Sequence, residues 1–210
     1  MGRTSKSFER KKPLFKAEPK ILVLCEDLKS SKCYLEDAAE HFRARADIDI
    51  AHCGVTHPSG IVEEGIKRST KYNHVYCVID RDTHKCFDRA LKLASNSKKL
   101  TVIPSYPCFE FWLILHFGHC RKPFNRTDRN SPGDEAIAHL RKLPNMRDYS
   151  KGEKFGVFKL LLGEPFENAR KLSPQILAQA KLDGELNPST KFHLLIDAFE
   201  ALSAPQLLDT

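Results

Sequence analysis

No CxxC pair, no GxxxxGKS/T phosphate loop and no apolar run approaching about 18 residues occurs in this chain. The first absence, together with seven cysteines at wide spacings, argues against a zinc ribbon and against a disulfide scaffold. It points to reduced thiols in a cytosolic protein, several of them packed as small hydrophobes. The second absence excludes ATP binding in the P-loop manner, so any ATP hydrolysis is expected from a partner. The third excludes a transmembrane helix, and no apolar segment follows the basic N-terminus as a secretory signal requires. A cytoplasmic location without membrane attachment is the expectation. No Ser-His-Asp or Cys-His spacing marks a nucleophile. His116, His119 and Cys120 in "HFGHC" lack partners at zinc-ligand spacing and read as packing or surface residues.

What is present is an ordinary soluble composition, 41% hydrophobic and 29% charged, with a formal net charge of +7. The positive charge is concentrated at one end. Residues 1–20 hold seven Lys/Arg against Glu9 and Glu18. Such a leader, with Arg10, Lys11 and Lys12 at its centre, suits a phosphate backbone without reading sequence. A disordered, solubilising tail has the same composition.

From residue 20 the hydrophobic pattern becomes regular. "KILVLCED" is a continuous apolar run ending in charge, as in a strand buried on both faces of a parallel sheet. A helix follows, with Tyr34, Leu35, Ala38, Ala39 and Phe42 at helical spacing. "IDIAHCGV" reads as a second strand, "HPSG" as a turn, "IVEEGIKRSTKY" as a short helix and "HVYCVIDRD" as a third strand. "HKCFDRALKLASNS" and "KKLTVIPS" add another helix and strand. This β-α-β-α-β-α-β order over residues 20–104 predicts an α/β fold, a mostly parallel sheet with flanking helices. "CFEFWLILHFG", which holds the single tryptophan Trp112, is expected as a buried helix. From about residue 121 the chain turns polar and then helical, and "LNPST" is expected to open the last helix. The implied organisation is a leader over 1–19, an α/β domain over 20–120 and a mostly helical C-terminal lobe over 121–210. The basic residues Arg121, Lys122, Arg126 and Arg129 suit either nucleic acid or a solvated loop.

Two strands end in paired acids, Glu26 and Asp27 after the first and Asp80 and Asp82 after the third. Ligands of open parallel sheets bind outside the carboxyl ends of the strands. If the two strands are neighbours, their acids converge and repel, and a hard divalent cation such as Mg²⁺ or Mn²⁺ relieves that repulsion. Acids at strand ends also serve as caps for a following helix, a role open to Asp82 and Thr83.

A Glu after the first strand and a DxD after a later one resembles the Toprim pattern, the metal-binding module of topoisomerases, primases and OLD-type nucleases. The chain as a whole resembles the RloB family, related to the AbiLii-type abortive-infection proteins. The stretches that carry the likeness are "ILVLCED", "YCVIDRDTHKCFDRAL", "PSYPCFEFWLILHF", "YSKG" and "LNPSTKFHLLIDAF", in order over residues 20–199. The resemblance implies a Toprim-like nuclease subunit using Mg²⁺ or Mn²⁺ on DNA or RNA. It further implies an AAA-type ATPase partner in anti-phage defence, with homo-oligomers left open. Carried onto this sequence, Glu26 is a general acid/base or metal ligand, and Asp80 and Asp82 are metal ligands. Glu110, flanked by Phe109, Phe111 and Trp112, is a further acid that needs a partner or an ion. Lys151 would neutralise a phosphate or stabilise the transition state. Arg81 joins Arg10, Lys11 and Lys12 as a nucleic-acid contact. Asp27 and Tyr106 replace the usual Gly and Asn; Asp27 either adds a ligand or obstructs the substrate. The alternative is a non-catalytic regulatory subunit, its acids holding a structural ion and its leader docking nucleic acid or the ATPase.

Overall fold

Along β1 (Lys20–Cys25) side chains leave alternately to the two sides of the sheet, and both sides are covered. Ile21, Val23 and Cys25 join one core, Leu22 and Leu24 the other. The computed structural model describes residues 17–151 and 156–204. Arg10, Lys11 and Lys12 of the leader lie outside the described residues.

The sheet has five strands in the order β2-β1-β3-β4-β5. β2 (Asp47–His52), β3 (His74–Asp80) and β4 (Leu100–Tyr106) run parallel to β1, as the alternation of strands and helices predicts. The chain leaves β1 toward β2, then crosses back past β1 to β3 and continues to β4. Right-handed crossovers in opposite directions put their helices on opposite faces. Accordingly α1 (Ser30–Phe42) packs on one face, and α2 (Pro58–Arg68) and α3 (Phe87–Ala94) on the other. The reversal of strand order falls between β1 and β3, the switch point at which open sheets of this kind form a cleft at the carboxyl ends of their strands.

The two cores differ in chemistry. The α2/α3 side is mostly aliphatic: Leu22, Leu24, Ile61, Val62, Val75 and Ile79, with Phe87. The α1 side is aromatic, centred on Tyr34, Phe109, Trp112, Phe158 and Phe192. Tyr34 meets Phe109, Trp112, Phe158 and Phe192 edge-on, with ring centroids 5.2–6.5 Å apart. Such pairs contribute about 0.5–1.5 kcal/mol each beyond their burial. This core is built jointly by α1, the short buried α4 (Glu110–Ile114) and the C-terminal helices α6 (Val157–Leu160), α7 (Glu164–Leu182) and α8 (Phe192–Ala201). His116 belongs to it: its Nδ1 lies 3.0 Å from the Trp112 carbonyl and its Nε2 3.2 Å from the Tyr34 hydroxyl. Burial lowers its pKa to about 4, so it is a neutral packing residue.

Two local expectations change. The "HPSG" segment is the first turn of α2, because Pro58 suits a first helical position and His57 Nδ1 accepts from the Gly60 N–H at 3.1 Å. Ser189 and Thr190 form β5, a short antiparallel edge strand on β4, instead of simply capping the last helix. Thr190 does both tasks. Its hydroxyl lies 2.8 Å from that of Ser105 across the sheet and accepts from the Phe192 N–H at 3.1 Å. The segment after 121 therefore completes the sheet as well as one core. α5 (Pro132–Leu140) starts in a capping box, with Ser131 and Asp134 exchanging side-chain-to-backbone bonds.

Candidate active site

The cleft between β1 and β3 is where the acids meet. Glu26 follows β1 and Asp80 ends β3. A Glu26 carboxylate oxygen accepts from the Asp80 backbone N–H at 3.1 Å. The other lies 2.9 Å from His84 Nε2. Glu26 retains 17% side-chain exposure, and Asp80 as a residue only 8%. Burial raises the pKa of Glu26, against the lowering pull of the Asp80 N–H and His84. Asp80 is raised well above the ordinary aspartate range, first by burial and then by Glu26, with Glu110 adding to it and Lys151 opposing it.

Glu110 enters from the first turn of α4 and is fully buried. Its Oε1 accepts from the Tyr149 hydroxyl at 2.9 Å, while its Oε2 has no hydrogen-bond partner among the described residues. Lys151 stands at the rim, exposed as a residue while its ammonium is partly desolvated among the acids. Burial works against its ammonium, but attraction to Glu110 and Asp80 prevails and raises its pKa. The same carboxylates, after burial, push the Cys108 thiol up, which leaves it protonated and inert.

The other member of each acidic pair does different work. Asp27 gathers the first turn of α1. Its carboxylate accepts from the backbone N–H groups of Lys29 (3.0 Å), Ser30 and Ser31 (3.2 Å), and from the Ser31 hydroxyl at 2.6 Å. These are orphan donors of a helix start, and a glycine there would leave them to water. Asp82 turns away to α5, and its Oδ1 accepts from the Gly133 N–H at 3.0 Å. Its backbone N–H is bound by the Pro107 carbonyl at 2.8 Å, and its φ of 24° lies in the left-handed region that Asp tolerates.

The cleft thus gathers Glu26, Asp80, Glu110 and Lys151, and directs Asp82 elsewhere. Arg81, expected as a nucleic-acid contact, is engaged within its own loop. Its guanidinium donates to the His84 carbonyl at 2.6 Å and lies 5.4 Å from the Phe87 ring centroid. That staple presents His84 to Glu26. Tyr106 packs edge-on to Phe87, and burial pushes its hydroxyl up to about 12. Sequence reasoning missed His84 and Tyr149 as site residues. His84 stands two positions after the DxD, and Tyr149 lies inside "YSKG", but neither spacing announces its carboxylate partner.

Among the described residues no three His, Cys, Asp or Glu side chains form a ready-made metal cage. The donor set still fits Mg²⁺, which commonly uses only one or two carboxylates and completes its shell with water and substrate phosphate. The unpartnered Glu110 oxygen and the mutual repulsion at Asp80 are what such an ion would relieve.

The RloB-like protein family matches residues 21–199. The chain belongs to that family. Neither the curated proteins nor the solved structures yielded a match. No helix among the described residues is long and apolar enough to cross a membrane.

Proposed function

We propose that this RloB-like protein is the Toprim-like nuclease subunit of an anti-phage system, hydrolysing phosphodiesters of DNA or RNA with Mg²⁺ or Mn²⁺. One observation carries the reading: three carboxylates of low exposure, Glu26, Asp80 and Glu110, gather at the switch point of a parallel sheet with Lys151 at their rim. Three buried acids facing one lysine are costly as a purely structural arrangement. Glu26 and Asp80 would hold the ion, with Glu110 as a nearby third donor. A bound divalent ion would supply a more acidic water and charge stabilisation on the phosphate.

The chain's own groups support the rest. Glu26, with its pKa raised by burial and an imidazole 2.9 Å away, is suited to take up a proton. Lys151 stays charged and exposed, where it can meet a phosphate oxygen. Tyr149 fixes the Glu110 carboxylate. In the absence of a phosphate loop, an AAA-type ATPase partner would supply ATP hydrolysis.

The test is cleavage of end-labelled DNA and RNA by the full chain with Mg²⁺ or Mn²⁺, alone and with the neighbouring ATPase. The Glu26→Gln/Asp80→Asn double variant, folded by circular dichroism, is expected to lose activity by a factor on the order of 10³. Metal binding without cleavage in any arm would instead identify a non-catalytic subunit with a structural ion. Cleavage that survives the double variant would place the chemistry outside this cleft.

A further inference from the structure

The segment from Arg121 to Lys151 carries eight Lys/Arg against four Asp/Glu. Two of those acids are occupied locally. Asp134 belongs to the α5 capping box, and a Glu135 oxygen accepts from Asn130 at 2.8 Å. The cations are left over. Elsewhere on the surface Arg68 pairs with Glu64, Arg89 with Glu63, and Arg170 with Asp197 and Glu200. Arg121 is likewise absorbed, by Asp183 and the Pro188 carbonyl. Lys122, Arg141, Lys142 and Lys151 are exposed, and among the described residues none is within ion-pair distance of a carboxylate.

The shape is as informative as the charge. Two depressions flank the exposed side of α5 and share Ala138. One, of about 400 Å³, is lined by Asn130, Arg141, Ser150 and Lys151, with the capping-box Asp134. The other, of about 90 Å³, is lined by Lys122, Asn125, His139 and Lys142, with Glu135, which is bound by Asn130. Lys151 is the link to the cleft, since its charge is felt by Asp80. α5 is tied to the same cleft by the Asp82–Gly133 bond. Arg141 is held in place by its Nε–H donating to the Tyr149 carbonyl at 2.8 Å, which leaves the outer guanidinium nitrogens for a ligand.

We infer that the α5 surface is the track for the nucleic-acid backbone, with phosphates on Lys122, Lys142 and Arg141 leading past Lys151 to the acids. This assignment rests on the phosphodiesterase reading of the cleft and adds a substrate contact around α5. The contact is with phosphates, so affinity falls steeply with salt and depends little on base sequence.

Binding tests it independently of cleavage. The full chain is titrated in EDTA with labelled single-stranded and duplex DNA and RNA over a series of salt concentrations. A Lys122→Gln/Lys142→Gln variant removes two cations that make no hydrogen bond or ion pair among the described residues, so its fold is retained. A triple variant adds Arg141→Gln. The control is Lys71→Gln/Lys98→Gln/Lys99→Gln, an equal charge change at the opposite end of the strands. The triple α5 variant is expected to lower the slope of log K against log salt by about 2–3, and the double by about 1–2. The control is expected to leave the slope near that of the parent chain. Equal effects of the α5 and control variants, or an unchanged slope in both α5 variants, overturn the assignment. A lowered slope in a chain that never cleaves supports the track while rejecting the nuclease reading. The polymer with the largest slope change identifies the nucleic acid the track takes.

Discussion

The carboxyl ends of β1 and β3 are built alike and used alike. Each presents two acids, and at each end one acid enters the cleft while its companion ties down a helix. Glu26 and Asp80 face one another across adjacent strands and are pushed toward protonation by burial. Asp27 and Asp82 sit a residue or two further on and collect backbone N–H groups from the starts of α1 and α5. The division follows from reach. A residue at the strand terminus points its side chain into the cleft, and one beyond it meets the first turn of a helix. The same residue type is electrostatically strained in the first position and stabilising in the second.

Breaking the capping pair gives the largest change in stability. Asp27→Ala is expected to cost about 2 kcal/mol, lowering Tm by about 4–8 °C, with Asp82→Ala somewhat milder. Both variants should keep the metal-dependent cleavage of the folded fraction, because both carboxylates are engaged by backbone N–H groups. Calorimetry beside an activity assay checks this, and loss of cleavage at full stability would erase the distinction between the pairs. A smaller effect comes from Tyr149→Phe, which leaves both Glu110 oxygens without a partner and costs at least about 1 kcal/mol in urea unfolding.

The smallest effect is a change of slope with pH. Glu26 and Asp80 have folded-state pKa values above their unfolded ones, so the native state binds more protons across that interval. Stability without metal therefore falls as pH rises from the ordinary carboxylate range through the raised values. Asp80→Asn should remove most of that decline, so its advantage over the parent grows with pH in metal-free unfolding experiments. Asp134 supplies the opposite sign. The Ser131 N–H lowers its pKa, and its contribution is lost as pH falls. An Asp80→Asn protein no more stable than the parent above that interval would mean that Asp80 is not strained by its neighbours.

The β-α-β-α-β-α-β order was legible because both-face-buried strands and amphipathic helices write their periods directly into residues 20–104. The site was legible in part. Glu26 and Asp80 could be found because a parallel sheet delivers strand ends to one edge, and Glu110 because a lone acid among aromatics needs a partner. The bond of Asp82 to the Gly133 N–H could not be read from spacing, since its partner is 51 residues away. The surroundings of Arg81 were equally opaque, because its bond to the His84 carbonyl and its place over the Phe87 ring are set by the folded loop.

The sequence by itself determined the four parallel strands, the helices between them, and that acids stand at the ends of β1 and β3, because these depend on local periodicity. Only the tertiary structure decided which acid of each pair collects backbone N–H groups, and that Tyr149 and His84 serve Glu110 and Glu26. Those outcomes depend on distances between residues dozens of positions apart, where a hydrogen bond forms or fails over a fraction of an ångström.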